Sequence, residues 1–134
     1  MIDLESPLFT EIATALRSTY SGIFITGEYV PAPARFPAVS IVEMDNSTYR
    51  PAWSNRYSEE YAEVMYEVNV YSNLTEGKKA EAKAIMSTVD GLIQPYGFER
   101  IFCQPVQNMN DASIYRITAR YRAVIRDNLT IYRR

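Results

Sequence analysis

Two carboxylates, Glu43 and Asp45, follow an apolar run in the stretch FPAVSIVEMDNSTY, residues 36–49. The run from Ala38 to Met44 predicts a β-strand, on which residues two apart point to the same side. Paired carboxylates act as acid and base in glycosidases and bind hard metal ions. However, no metal-binding loop pattern follows, and Asp-Asn-Ser is common in turns. We therefore favour a strand that leaves the sheet at Glu43 and meets water at Asp45, with a partner-subunit contact, or a metal or catalytic site, as the alternatives.

Arginines recur at even spacing in the stretch IYRITARYRAVIR near the end of the chain. This arginine stripe consists of Arg116, Arg120, Arg122 and Arg126. On a strand the four share one face and the tyrosines share the other, so the two cannot interleave as a stacking platform for nucleic acid. An earlier alternating stretch offers Glu63 and Glu67 on its polar face. If the two strands are neighbours, cross-strand Arg–Glu pairs explain both rows; salt bridges between subunits and contact with phosphate are the alternatives.

The segment before that alternating stretch, residues 46–58, is long for a hairpin connection and predicts a protruding hairpin arm. It is rich in aromatic and basic side chains, which are the types that anchor protein interfaces. The predicted contacts with a partner or subunit are Tyr49, Arg50, Trp53, Arg56 and Tyr57. The alternative is that these side chains fold back onto their own domain.

The composition lowers the expectation of catalysis. The 134 residues have the length of one domain and include no histidine, which removes the commonest general base and the commonest transition-metal ligand. The single cysteine, Cys103, excludes an internal disulfide, and we expect it to be a small core residue. We accordingly expect no enzyme activity, no cofactor and no metal. A small-ligand enzyme that uses Tyr, Asp or Lys is the alternative.

Charge and hydropathy limit the partners. The net charge of −2 gives no global attraction to nucleic acid, although a small nucleic-acid-binding module that uses the arginine stripe remains an alternative. No apolar run approaches the roughly 20 residues that cross a membrane, and the N-terminal stretch lacks the pattern of a secretory signal.

The periodicity of the chain predicts an α+β fold: one antiparallel sheet with two helices packed on one face. The order is helix, three strands, helix, two strands, in a single domain of residues 1–134. Ser6 and Pro7 are expected to begin the first helix. Asn73 or Thr75 is expected to cap the second helix, which Pro95 and Gly97 end. The predicted strands are 23–30, 38–44, 61–72, 98–106 and 114–126, followed by a C-terminal tail, 127–134.

The succession YEVNVYSN, a Lys-Lys helix start, IMSTVDGLI, GFERI and IYRITARYRAVI resembles the tail terminator or tail-completion proteins of long-tailed phages. Prophage-borne and phage-tail-like particles carry similar proteins. RFPAVSIVEMDN resembles the entry of that family into its second strand. The resemblance covers residues 8–126, and its motifs are patterns of strands, helix and turn. Related tail-tube, neck and baseplate adaptor proteins have similar folds, so a head–tail connector or another tail adaptor is the alternative.

The resemblance implies a structural virion protein without catalytic residues. Such proteins form a homo-oligomeric ring, commonly a hexamer, that caps the tail tube, ends its polymerisation and joins the tail to the head connector. The implied partners are further copies of the chain, the tail tube protein and the head connector or neck protein. DNA only passes through the lumen, and no membrane is involved. The implied location is the virion tail, assembled in the cytoplasm of the host bacterium.

Overall fold

The computed structural model describes residues 1–50, 61–107 and 111–126 of the chain. In these residues it contains two α-helices, a short 3-10 turn and five β-strands. They are α1 (Glu5–Thr19), β1 (Phe24–Thr26), β2 (Ala38–Tyr49), β3 (Tyr61–Ser72), α2 (Lys78–Ile93), the 3-10 turn Gln94–Tyr96, β4 (Glu99–Val106) and β5 (Tyr115–Arg126). The predicted tail, 127–134, lies outside the described residues.

The five strands form one sheet in the order β1-β2-β3-β5-β4. The predicted α+β class, with one sheet and two helices, is confirmed. The sheet is mixed and not wholly antiparallel, because β1 runs parallel to β2. A parallel neighbour needs a long return connection. Residues 27–37, which include the proline-rich PAPARFP, provide that connection.

Both helices pack on the same face of the sheet. The alternating residues Ala62, Val64, Tyr66, Val68 and Val70 of β3 are each 0% exposed and form the centre of the core. The helices add their apolar stripes to the same cluster; those stripes are Leu8, Ile12 and Leu16 from α1, and Ala82, Ile85, Met86, Val89 and Ile93 from α2. Period 2 in the strand and period 3.6 in the helix thus bury one face of each element. The opposite face of the sheet is called the outer face below.

The helix starts differ from the sequence prediction. Helix α1 begins at Glu5, and the backbone N–H of Glu5 donates to Asp3 Oδ1 at 3.0 Å. Pro7 lies inside the first turn, where a missing N–H costs no helical hydrogen bond. Helix α2 follows Gly77, whose φ of 87° is left-handed, so neither Asn73 nor Thr75 caps it. Its predicted end is correct, because Pro95 lies in the 3-10 turn and Gly97 follows with φ 80°.

Two predicted strand lengths are wrong. Strand β1 has three residues, because the chain after Thr26 turns at Gly27 and enters the connector. Strand β2 does not end at Met44 but continues to Tyr49, and it pairs with β3 on both sides of an irregularity at Met44. Pairing with a long neighbour therefore overrides the turn preference of Asp-Asn-Ser. The predicted arm, 46–58, begins inside this hairpin, and its residues 51–58 lie outside the described residues.

Candidate functional site

Glu43 and Asp45 do not share one side of β2. A β-bulge lies between them, so that Glu43 is opposite Tyr66 and Asp45 is opposite the next residue of β3, Met65. Tyr66 points into the core and Met65 to the outer face, so the bulge breaks the alternation of the strand between the two carboxylates. The extra residue, Met44, is 46% exposed. The expectation that these two residues share one side of the strand is wrong, because one inserted residue reverses the alternation.

Glu43 instead meets two carboxylates from the start of the chain. Ligand oxygens of Asp3, Glu5 and Glu43 all lie within 4.8 Å of one another. Asp45 lines the same cleft, whose volume is about 480 Å³. We call Asp3, Glu5, Glu43 and Asp45 the acidic corner. Asp3 and Glu5 could not be recognised from the sequence, because only the packing of α1 beside β2 brings them to Glu43.

The electrostatics of the acidic corner disfavour full ionisation. Burial raises the pKa of Glu5, and the charges of Glu43 and Asp3 raise it further. The hydroxyl of Tyr66 donates to Glu43 Oε2 at 3.3 Å. Burial, followed by the charge of Glu43, raises the pKa of Tyr66, so this tyrosine stays protonated. Oxygen ligands at this spacing suit a hard cation, and the cluster equally attracts Lys or Arg of another chain.

The outer face carries a hydrogen-bonded network across β3 and β5. Arg120 uses Nε and Nη2 to reach Glu67 Oε2, each at 3.1 Å. Asn69 Nδ2 donates to Glu67 Oε1 at 3.1 Å. Arg116 in turn donates to Asn69 Oδ1 from Nε at 3.0 Å and from Nη2 at 2.8 Å. The strands are antiparallel neighbours with Glu67 directly opposite Arg120, which is the arrangement that the Arg–Glu interpretation requires.

The other two arginines of the stripe make looser contacts. Arg122 lies 3.9 Å from Glu63 and 3.3 Å from Glu99 of β4. The guanidinium carbon of Arg126 lies 5.8 Å from the centre of the Tyr61 ring. Arg116 and Arg120 also stack over aromatic rings, at 5.5 Å from Tyr71 and 5.7 Å from Phe102 respectively. The stripe therefore interacts extensively within the sheet, and its contacts with another subunit stay a prediction.

The root of the hairpin arm is described, and its tip is not. The rings of Tyr49 and Tyr61 lie edge to face across β2 and β3, with centroids 6.5 Å apart. Arg50, the next residue, is exposed. Trp53, Arg56 and Tyr57 lie outside the described residues. Partner contact by these five residues stays a prediction.

A groove follows the opposite edge of the sheet, between α2 and β4. One hollow of about 310 Å³ is lined by Lys83, Met86, Asp90, Arg100, Cys103, Pro105, Tyr115 and Ile117, among others. A second hollow, of about 390 Å³, shares Pro105 and Tyr115 with the first and adds Lys78, Val106 and Ile114. We call the two hollows together the α2–β4 groove.

Cys103 is exposed on the wall of this groove, so the prediction of a core cysteine is wrong. Its strand, β4, lies at the edge of the sheet, and most of its residues remain accessible. A small apolar residue in a strand pattern does not reveal whether its strand is central or at an edge.

No helix in the described part of the chain is long and apolar enough to cross a membrane. Comparison with models of known protein families and with curated proteins finds no match for this chain.

Proposed function

We propose that this chain is a structural protein of a long-tailed bacteriophage, a tail terminator that assembles into a homomeric ring. The ring caps the tail tube, stops its polymerisation and presents a surface to the head connector. It belongs to the virion tail and is assembled in the cytoplasm of the host bacterium. The resemblance of residues 8–126 motivates the proposal, and the layered geometry supports it.

The observation that carries the proposal is the asymmetry of the layers. Both helices pack on one face of the sheet, and the outer face presents the ordered network of Glu67, Asn69, Arg116 and Arg120. A sheet face whose charges are held by hydrogen bonds suits contact with another protein, because complementary charges select the partner and its orientation.

The β2–β3 hairpin is long, and one of its two strands is exposed at its far end. Each strand has 12 residues, which corresponds to roughly 40 Å at about 3.3 Å per residue. The end of β2, from Met44 to Tyr49, is mostly exposed, while its beginning is buried. The far end of β2 is therefore an exposed surface at the root of the predicted arm, while β3 beside it stays buried or half-buried along its whole length. Contact of that surface and of the arm with the tube or a neighbouring subunit is part of the proposal.

The charge arrangement of the stripe fits a surface that DNA passes without being held. Tight binding to DNA depends on neutralisation of phosphates by lysine and arginine. Glu67 already binds Arg120, and Glu63 and Glu99 lie beside Arg122. Phosphate contact would have to compete with these carboxylates.

Tube polymerisation tests the proposal. Tail tube protein is polymerised alone and with increasing amounts of the chain, and tube lengths are measured by negative-stain electron microscopy. A terminator shortens the tubes and appears as a cap at one end. Arg50→Glu, at the arm, is expected to weaken capping. Arg17→Glu, an exposed reversal on α1, is the matched control and should cap normally.

Unchanged tube lengths at saturating concentrations of the chain would refute the terminator function. Binding to the purified head connector without any effect on tube length would favour the adaptor alternative. Retention on DNA that salt removes, and that an Arg116/Arg120/Arg122 triple alanine variant loses, would favour the nucleic-acid-binding module.

A further inference from the structure

The acidic corner and the α2–β4 groove lie on opposite flanks of the helix layer. The acidic corner lies at the start of α1, beside β2; Glu5 and Phe9 approach Gly27, which follows β1. Helix α2 packs on β3 and β5, and its groove opens toward the edge strand β4. The two surfaces therefore belong to different parts of the fold, one beside β2 and the other beside the edge strand β4.

The two surfaces have opposite charge. Four carboxylates line the acidic corner, and the terminal ammonium of Met1 is the one cationic group among the described residues that line it, so the corner remains net negative. Three cations, Lys78, Lys83 and Arg100, line the groove with one carboxylate, Asp90. Lys83 is exposed and, among the described residues, has no ion-pair partner.

The single carboxylate of the groove is already occupied. Asp90 Oδ1 accepts from Arg100 Nη1 at 3.0 Å and from the Tyr121 hydroxyl at 2.9 Å, and Oδ2 accepts from Gln94 Nε2 at 2.9 Å. It therefore does little to offset the charge of Lys83. Lys78 donates from Nζ to the carbonyl oxygens of Ala112 and Ser113 at 3.4 and 3.5 Å and lies near the carboxylate of Asp111, so its charge is partly offset. The groove consequently presents net positive charge around an apolar floor that includes Met86, Pro105 and Ile117.

We propose that the acidic corner of one copy binds the α2–β4 groove of the next copy. This inference rests on the proposed function, because it names the surfaces through which the ring forms. Carboxylates of the corner face Lys78 and Lys83 of the neighbour, and the exposed side chain of Met44 contacts the apolar floor. Because the two surfaces are different, the contact is head-to-tail, which is the type that repeats around a ring.

Electrostatic repulsion within the acidic corner of an isolated copy supports this pairing. The carboxylates within it repel each other, and the pKa of Glu5 is raised by its burial first and by the charges of Glu43 and Asp3 in addition. Cations from a neighbouring copy would relieve the repulsion on assembly. The same reasoning predicts that raising the salt concentration to roughly 0.5 M weakens association, because exposed charges are then screened within a few ångströms.

Charge reversal on each surface tests the inference. One variant carries Glu5→Lys and Asp45→Lys, and the other carries Lys78→Glu and Lys83→Glu. Association of the intact chain is measured by sedimentation velocity over a range of concentrations. Each variant alone is expected to associate at least tenfold more weakly than the natural chain. An equimolar mixture of the two is expected to recover association, because each variant then complements the other at both surfaces.

A control variant with Glu28→Lys and Arg17→Glu reverses two exposed charges outside both surfaces and is expected to associate normally. Circular dichroism of every variant establishes that it is folded. Natural chains that do not associate, reversed variants that associate normally, or a mixture of folded variants that fails to recover would each overturn the inference. If the charge-reversed variants assemble and cap tubes normally, this inference is wrong but the proposed function stands. If the chain assembles through these two surfaces but does not cap tubes, the proposed function is wrong and the inferred interface stands.

Discussion

The contact between Glu67 and Arg120 is expected to stabilise the fold by more than an ordinary surface ion pair. The side chain of Glu67 is 16% exposed and that of Arg120 is 38% exposed. At 3.1 Å, the attraction between unit charges is about 1.3 kcal/mol in bulk water and about 5 kcal/mol at an effective dielectric constant of about 20. Loss of hydration and side-chain entropy offset most of this, which leaves a coupling of about 1–2 kcal/mol.

A double-mutant cycle measures that coupling. The variants are Glu67→Gln, Arg120→Met and the double change, and the free energy of unfolding is obtained from urea denaturation followed by circular dichroism. Glutamine keeps an oxygen for Asn69, and methionine keeps an apolar contact with Phe102, so the cycle isolates the charge interaction. For a chain of this length, each kcal/mol corresponds to about 4 °C in melting temperature.

The pair Glu63 and Arg122 on the same two strands is the matched control. Its atoms are 3.9 Å apart, and its side chains are 39% and 46% exposed. The corresponding cycle with Glu63→Gln and Arg122→Met is expected to give less than about 0.5 kcal/mol. Equal coupling in the two cycles, or a coupling near zero for Glu67 and Arg120, would refute the reasoning that burial and geometry strengthen the outer-face network.

Three further predictions concern single positions. Because the pKa of Glu5 is raised in the folded state, its ionisation costs stability at neutral pH. Glu5→Gln should therefore raise the free energy of unfolding at pH 7 by about 0.5 kcal/mol. This gain should shrink as the pH falls through the pKa of Glu5 in the folded state. A gain that does not change with pH, in denaturation curves measured at several pH values, would contradict this prediction. Gly77→Ala should destabilise the fold by about 1 kcal/mol, because φ at this position is 87°. Gly91→Ala inside α2 should stabilise the fold by about 1 kcal/mol, because there is open space around the added carbon. Changes in melting temperature with the same sign for both variants would contradict this prediction. The exposed thiol of Cys103 should react with a thiol reagent in the native protein as fast as in urea, and protection from the reagent would show that the groove wall is closed.

The elements that follow from local periodicity could be predicted. The alternating pattern in β3 and the apolar stripe in α2 correctly predict which of their residues are buried. Pro95 and Gly97 correctly predict where α2 ends. The neighbouring positions of β3 and β5 were inferred from a charge pattern, and the register places Glu67 opposite Arg120. These features depend on short stretches of sequence and on side chains that lie directly across from each other.

The features that depend on distant packing could not be predicted. The bulge at Met44 is recognisable only once β2 is paired with β3, and it separates Glu43 from Asp45. The approach of Asp3 and Glu5 to Glu43 depends on where α1 lies against the sheet. The parallel direction of β1 depends on the path of the connector. In each case the same local sequence is compatible with more than one tertiary arrangement, and packing of the hydrophobic core determines which one forms.

The irregular edge strand β4 has a consequence for how copies of this chain meet. An exposed edge of regular geometry is a template on which strands of other molecules can add without limit. In β4, the register shifts between Arg100 and Phe102, Ile101 at the shift is 45% exposed, and Pro105 offers no N–H. A straight ladder of backbone hydrogen bonds cannot run along such an edge. At high concentration, the irregular edge therefore disfavours fibrous aggregation by strand addition. Contacts between copies then depend on side chains, and each side chain can change the specificity of the contact separately.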